Sequence, residues 1–311
     1  MVLRDQKPAV FTNRHCIKKT FDEKGLEYIG QLALENVESL AGVIQWNHEN
    51  GVRFFRMSSN VFPWATEYKL RELPNFDLIA EKLAFAGKLA RAYDQRLTFH
   101  PSHFVKLAAA EPKLLAKSIH ELEVHSEMLD LMGYAEASPV NKINIHVGGV
   151  YGDKEETLKR FAAGFRKLSP RCQKRLTLEN DDLCNSFSVA DLMGLHREIG
   201  VPVVFDFHHW KFCTGDQTQE EALADALSTW PKGIRPVVHW SESQEGRPGH
   251  AHSDYIYGPM DLYGRDKDVD VMIEAKCKEQ SLLAFRGDIP LPPKFTLPPE
   301  SAEDHPALQF A

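Results

Sequence analysis

Six short apolar runs in this sequence are each followed at once by a side chain able to bind a metal ion. His100 follows Thr98-Phe99, His146 follows Asn144-Ile145, Glu179 follows Thr177-Leu178, Asp206 follows Val204-Phe205, His239 follows Val237-Val238 and Glu274 follows Met272-Ile273. One polar residue after such a run is ordinary, because helix caps and loop hydrogen-bonders fall there too. Six at one offset, all His, Asp or Glu, ask for a shared partner. Imidazole mixed with carboxylate and without thiolate suits zinc, manganese or iron, whereas magnesium would call for more oxygen. Three histidines and three carboxylates exceed what one tetrahedral ion uses, so two or three ions sharing carboxylates are expected. Such clusters activate water and stabilise both oxygens of an in-line phosphoryl displacement. His209, three residues after Asp206, and His250 and His252, after Arg247-Pro248-Gly249, are further candidates. His208 and His209 diverge as chain neighbours and are not both expected to be ligands. His208, His250 and His125 read as packed or solvated imidazoles.

Other chemistries find little support. The five cysteines (Cys16, Cys172, Cys184, Cys213, Cys277) are odd in number and never spaced C-x-x-C, so neither a disulfide framework nor a thiolate zinc site is indicated. Gly148-Gly149 lacks the context of a phosphate loop, and no G-x-S-x-G elbow is present. No organic cofactor is expected.

Six ligands can converge only if the elements before them run in one direction. Strand-like runs occur at Val52–Met57, Gln95–Phe99, Lys142–Ile145, Arg175–Leu178, Val201–Phe205, Pro236–Val238 and Val271–Ile273. Helical periodicity fills most of the gaps: Gly25–Asn50, with Ile29, Ala33, Val37, Leu40 and Ile44 on one face, then Phe76–Tyr93, Pro112–Leu131, Glu155–Leu168, Val189–Ile199 and Glu220–Leu227. Strands alternating with helices imply parallel pairing, and seven of them point to an α/β fold of the TIM-type (β/α) barrel. In that fold every strand ends on one face. A doubly wound open sheet is the competitor, since periodicity does not show closure. The first strand is weak or missing, and Pro8–Thr12 is the nearest candidate. Residues 1–288 read as one barrel domain. Residues 289–311, with six of the 18 prolines, read as an extended or disordered tail.

Apolar residues at 43% and charged residues at 26% of 311 describe a globular protein with a large core. No apolar run reaches the roughly 18 residues of a membrane span, and the first residues carry no apolar signal region. A cytoplasmic or nuclear protein, not secreted and monomeric, is therefore expected. The net charge of −7 argues against a general polyanion binder but leaves room for a local basic groove.

With these residues in place, the chain resembles the UV damage endonucleases, metal-dependent DNA repair enzymes that nick beside ultraviolet photoproducts. The resemblance runs from Thr12-Asn13-Arg14 to Leu283. It is carried by Phe55-Arg56-Met57-Ser58-Ser59, His100-Pro101-Ser102-His103-Phe104, His146-Val147-Gly148-Gly149-Val150-Tyr151-Gly152, Leu178-Glu179-Asn180-Asp181, Asp206-Phe207-His208-His209, His239-Trp240-Ser241, Ala251-His252-Ser253 and Glu274-Ala275-Lys276. It implies a TIM barrel with a DNA groove across the strand ends and up to three metal ions, manganese foremost, with zinc or magnesium as alternatives. The implied ligands are His100, His146, Glu179, Asp206, His209, His239, His252 and Glu274. Glu67 stands where the family has a ligand histidine. The family's Gln-Tyr pair, which wedges into the duplex where a damaged dinucleotide flips out, is His103-Phe104 here. A lysine often found two residues before the His239 position is Val237, which removes a positive charge near the cluster. The family's first strand, with its Tyr and Asn contacts near the lesion, has no clear counterpart before Thr12.

The resulting expectation is an endonuclease that binds damaged double-stranded DNA, extrudes a pyrimidine dimer and hydrolyses the phosphodiester 5′ to it. Its range would extend to 6-4 photoproducts and abasic sites. Glu179, His239 and Lys276 are expected to carry catalysis, and Asn13, Arg56, His103, Phe104 and Lys276 to contact DNA. The rivals are a sugar isomerase of the xylose isomerase type, whose pocket would be small and closed, and a non-catalytic lesion-binding relative.

Overall fold

The computed structural model describes residues 2–3, 6, 8–244 and 249–294. Its elements in chain order begin with strands β1 (Val2–Leu3) and β2 (Val10–Phe11), helix α1 (Lys18–Glu49), β3 (Phe54–Arg56), α2 (Phe76–Ala92), β4 (Arg96–Thr98) and α3 (Pro112–Leu131). They continue with β5 (Ile143–Ile145), α4 (Lys154–Phe165), α5 (Pro170–Arg175), β6 (Leu176–Glu179), α6 (Val189–Ile199), β7 (Val203–Asp206), α7 (Phe207–Trp210), α8 (Gln219–Ser228), β8 (Val237–Trp240), β9 (Asp270–Ile273) and α9 (Glu279–Phe285).

All seven expected strands are present, as β3 to β9, and every pair among them is parallel. β3 pairs with β4, and β5 to β9 form one sheet in sequence order. A bridge between Phe99 and Ile143 joins the two groups. β9 lies beside β3, bringing the ring round to its start, and an Arg56–Glu274 ion pair ties them. Strands of three or four residues suffice because β5, β6 and β7 are buried at every position, as a sheet covered by helices requires. The floor of the barrel is plugged by Arg96. Its guanidinium pairs with Asp270 at 2.8 Å, donates to the carbonyls of Pro139, Val140 and Arg235, and lies over the rings of Phe54 and Trp230.

The expected helices form, with ends set by local chemistry. α1 starts earlier than periodicity indicated, but its backbone breaks at Gly25 (φ 62°, ψ −160°), where the amphipathic pattern begins. Ile29, Ala33, Val37, Leu40 and Ile44 are fully buried. Ser188 with Asp191 and Thr218 with Glu221 form reciprocal caps that start α6 and α8. The expectation for the first strand is corrected: Val10–Phe11 pairs antiparallel with Val2–Leu3, so this segment is one arm of a terminal hairpin and not a barrel strand. Residues 289–294 hold no helix or strand. The rest of the expected tail, 295–311, and the Arg247-Pro248 segment lie outside the described residues.

Candidate metal centre and nucleic-acid interface

Side chains alternate along a strand, so every second residue of a barrel strand faces the interior. Along β5 this sends Lys142, Asn144 and His146 inward from floor to rim. On β6 it does the same for Thr177 and Glu179, and Thr177 Oγ1 donates to Asn144 Oδ1 at 2.7 Å. Asn144 in turn donates to Glu179. The rim layer holds the strand-end residues singled out in the sequence.

Glu179 is its centre. His100 Nε2 and His239 Nδ1 each lie 3.1 Å from Glu179 Oε2, while His209 Nδ1 and His146 Nε2 lie 3.3 and 4.0 Å from Oε1. His239 Nδ1 is also 3.0 Å from Glu274 Oε1 and 3.9 Å from Asp206 Oδ2. His252 Nδ1 lies 3.9 Å from Glu274 Oε2 and bonds the Glu274 carbonyl oxygen at 2.9 Å. Asp206 divides its two oxygens. Oδ1 caps the short helix α7, accepting from the backbone N–H of His208 and His209 at 2.7 and 2.8 Å. Oδ2 is buried with no hydrogen-bond partner. That cap turns the chain so that His209 joins the cluster, while His208 is buried against Phe212 and His252.

The donor set fits divalent cations. Glu179, Asp206 and His239 offer atoms within 4.8 Å of one another, as do His100, His146 and Glu179. Glu179 belongs to both groups and could serve an ion in either. The partnerless Asp206 Oδ2 is a buried polar atom that a cation would satisfy, and His239 Nδ1 lies 3.1 and 3.0 Å from two carboxylates beside it.

Electrostatics of the bare side chains show how tightly the charges are coupled. Burial would raise the Glu179 carboxyl, but His239 and His146, with hydrogen bonds from His100 and His239, hold it well below the usual carboxylate range. Glu274 is likewise held well below that range against its burial, chiefly by Arg56 and then by His239. Asp206 goes the other way. Burial raises it, with repulsion from Glu179 and Glu274 only partly offset by His209. Against burial, Glu179 and Asp181 lift His146 to about 9. Burial lowers His100 in spite of Glu179.

A cavity of about 830 Å³ opens over this cluster. Asn13, Arg56, His103 and Lys276 line it, together with Ser58, Ser59 and Lys278. Phe104 stands at the rim, 68% exposed, with its ring 4.1 Å from that of His103. Arg56 is engaged by Glu274, so it lies in the wall as an ion-pair partner. Lys276 bonds Gln244. Glu67 is not brought to the cluster: its carboxylate pairs with Lys117 of α3 at 2.7 Å from the short helical turn Ala65–Glu67. His250 pairs with Asp182 at 3.4 Å and its ring lies tilted against that of Phe212, 4.2 Å between centroids, at the flank of the site.

Two groups escaped the reading of the sequence. Lys278 lines the cavity on a left-handed backbone (φ 49°), a conformation costly for a residue other than glycine. Lys142 fills the floor beneath the cluster, its Nζ 3.5 Å from His239 Nε2. Val237 leaves β8 without a lysine beside the cluster, and Lys142, just before β5, places an amine against His239 instead. The signal was present in the sequence, since 142 and 144 share the alternation of 146. Burial pushes the Lys142 amine down to about 7, against the attraction of Glu179.

Residues 1–293 match the family model described as UV-endonuclease UvdE. The UV-damage endonuclease of Schizosaccharomyces pombe is 37% identical over 310 residues, an alignment covering 94% of this chain and 50% of that protein. The chain thus spans about half the length of the curated fungal relatives it matches. The solved structure of SacUVDE superposes with a TM-score of 0.76 at 29% identity, covering 89% of this chain and 94% of that one. A xylose isomerase domain protein from Planctomyces limnophilus, at 13% identity and a TM-score of 0.52 over 79% of this chain and 90% of that one, shares the fold alone.

Proposed function

The chain belongs to the UV-endonuclease UvdE family, and we propose that it is a metal-dependent endonuclease that nicks duplex DNA 5′ to ultraviolet photoproducts, pyrimidine dimers foremost. The observation that carries the reading is Glu179, one buried carboxylate approached by imidazoles from four different strand ends with Asp206 and Glu274 beside it. Two or three divalent ions, manganese foremost, would supply Lewis-acid chemistry and an activated water there. His100, His146, His209, His239 and His252 with Glu179, Asp206 and Glu274 would hold them. Glu67, engaged by Lys117, is left out of this ligand set.

The chain's own groups do the rest. Asn144 and Asn180 fix the cluster from beneath: Asn144 donates to Glu179, and Asn180 exchanges bonds with the Asp206 backbone at 2.8 and 3.1 Å. Lys276 on the open wall attracts the phosphate backbone, which orients the duplex without reading its sequence. His103 and Phe104 fill the stack left by an extruded dinucleotide. Selectivity follows because a damaged pair costs less to unstack, so 6-4 photoproducts and abasic sites fall within reach of the same device. An open cavity with an exposed aromatic at its rim suits a duplex better than an aldose.

The test is nicking of irradiated and unirradiated plasmid with and without manganese. Glu179→Gln, nearly isosteric, is expected to abolish manganese-dependent nicking while leaving thermal unfolding of the metal-free protein within a few degrees. Wild-type nicking by that variant at saturating manganese, or equal nicking of both plasmids by the wild type, would sink the proposal.

A further inference from the structure

Lys142 is 1% exposed and ranks among the largest fully buried side chains of the described residues. Its amine has His239 Nε2 as hydrogen-bond partner at 3.5 Å. It forms no ion pair with a carboxylate among the described residues. A buried amine so placed is costly to hold, and an apolar side chain of similar volume would fill the floor at less cost.

We propose that Lys142 is the positioning residue of His239, fixing the ring so that Nδ1 faces Glu179, Glu274 and Asp206. Nδ1 stands 3.1, 3.0 and 3.9 Å from oxygens of these three carboxylates, which leaves Nε2 as the end by which the ring can be held. With Nδ1 free to face a cation, Nε2 carries the ring hydrogen and Nζ accepts it, and that bond opposes rotation of the ring. Metal-binding histidines are commonly held at the second nitrogen by a carboxylate, a carbonyl or water. Here three carboxylates already converge on the ring, and a fourth beneath it would add repulsion. An amine gives the ring its partner without that charge. Lys142 reaches the ring from just before β5, so the contact also ties β5 to β8 across β6 and β7.

The inference rests on the metal reading of the site, and its test separates the two. Manganese affinity of wild type and Lys142→Met is measured from the electron paramagnetic resonance of free manganese, and thermal unfolding is followed without metal. The variant is expected to bind manganese about 10–100-fold more weakly. Its metal-free unfolding temperature should stay equal or rise. Equal affinities would overturn the role of Lys142 and leave the metal reading standing, whereas a wild type that binds no manganese would overturn both. Should the variant not fold, wild-type protein carrying 15N-labelled histidine decides the question. A His239 ring hydrogen protected from solvent exchange, assigned by its loss in His239→Gln, is expected, and a freely exchanging ring with mixed tautomers would overturn the proposal.

Discussion

A histidine buried away from any carboxylate behaves unlike those around Glu179, and His125 makes the contrast measurable. Its Nδ1 bonds the carbonyl of Glu121 at 2.7 Å, its ring meets the Phe99 ring edge-on at 4.8 Å, and burial pushes its pKa down to about 4. The folded state therefore holds this ring neutral where the unfolded chain would protonate it. The contribution to stability is full above the unfolded value of about 6.5 and is lost as pH falls toward 4, amounting to about 3 kcal/mol. His125→Gln, which keeps a donor for the Glu121 carbonyl, should lose correspondingly less stability between pH 7 and pH 4 in denaturant unfolding. Equal acid losses in both proteins would refute the assignment. The sequence marked His125 as a packed or solvated imidazole and the six strand-end residues as partners, because offset from an apolar run reports which face a residue occupies. It could not pair Lys142 with His239, 97 positions apart, nor show that Lys117 holds Glu67, because both depend on which side chains meet across the fold.

Elements were legible where they are long or regularly repeated. All seven strands of the barrel and the principal helices stand where short apolar runs and 3.6-residue periodicity place them. The four-residue α7 and six-residue α5 are too short for a period and exist because Asp206 and Ser169 cap them. The terminal hairpin was misjudged because Val10-Phe11 carries strand propensity without saying which partner it finds. In the proposed function, lesion recognition turns on the loop between β4 and α3. It holds Phe104 out in solvent at 68% exposure, where a large ring gains little from the fold itself. A base-aromatic stack is worth roughly 1–3 kcal/mol. Phe104→Ala should therefore weaken binding to a dimer-containing duplex about ten- to a hundredfold while sparing undamaged duplex and metal content. Both affinities are to be measured at one salt concentration without manganese. An equal loss on both duplexes would assign Phe104 to general groove packing.

At the scale of the whole molecule, the net charge of −7 opposes DNA at long range, so the proposed function requires attraction from the face that carries Lys276, Lys278 and the candidate metal centre. That face is built across a seam. β5, β6 and β7 are buried at every residue, whereas β9 is half-buried along its whole length and β3 at both ends. The amides of Asp270 and Glu274 bond carbonyls of Pro236 and Trp240 in or beside β8, so β9 is hydrogen-bonded on that side and meets β3 through packing and the Arg56–Glu274 pair. Local opening draws on regions with little buried apolar surface. In metal-free protein the β9 amides are therefore expected to exchange with deuterium at least about tenfold faster than those of β6 and β7, a difference of about 1.4 kcal/mol in opening free energy. Manganese should slow β9 selectively, because an ion held by His239 together with its neighbour Glu274 would link β9 to β8. Hydrogen exchange read by mass spectrometry checks both parts. Uniform exchange across β6 to β9, or a manganese effect no larger at β9 than at α2 on the outside of the barrel, would show that the seam is as firmly closed as the rest.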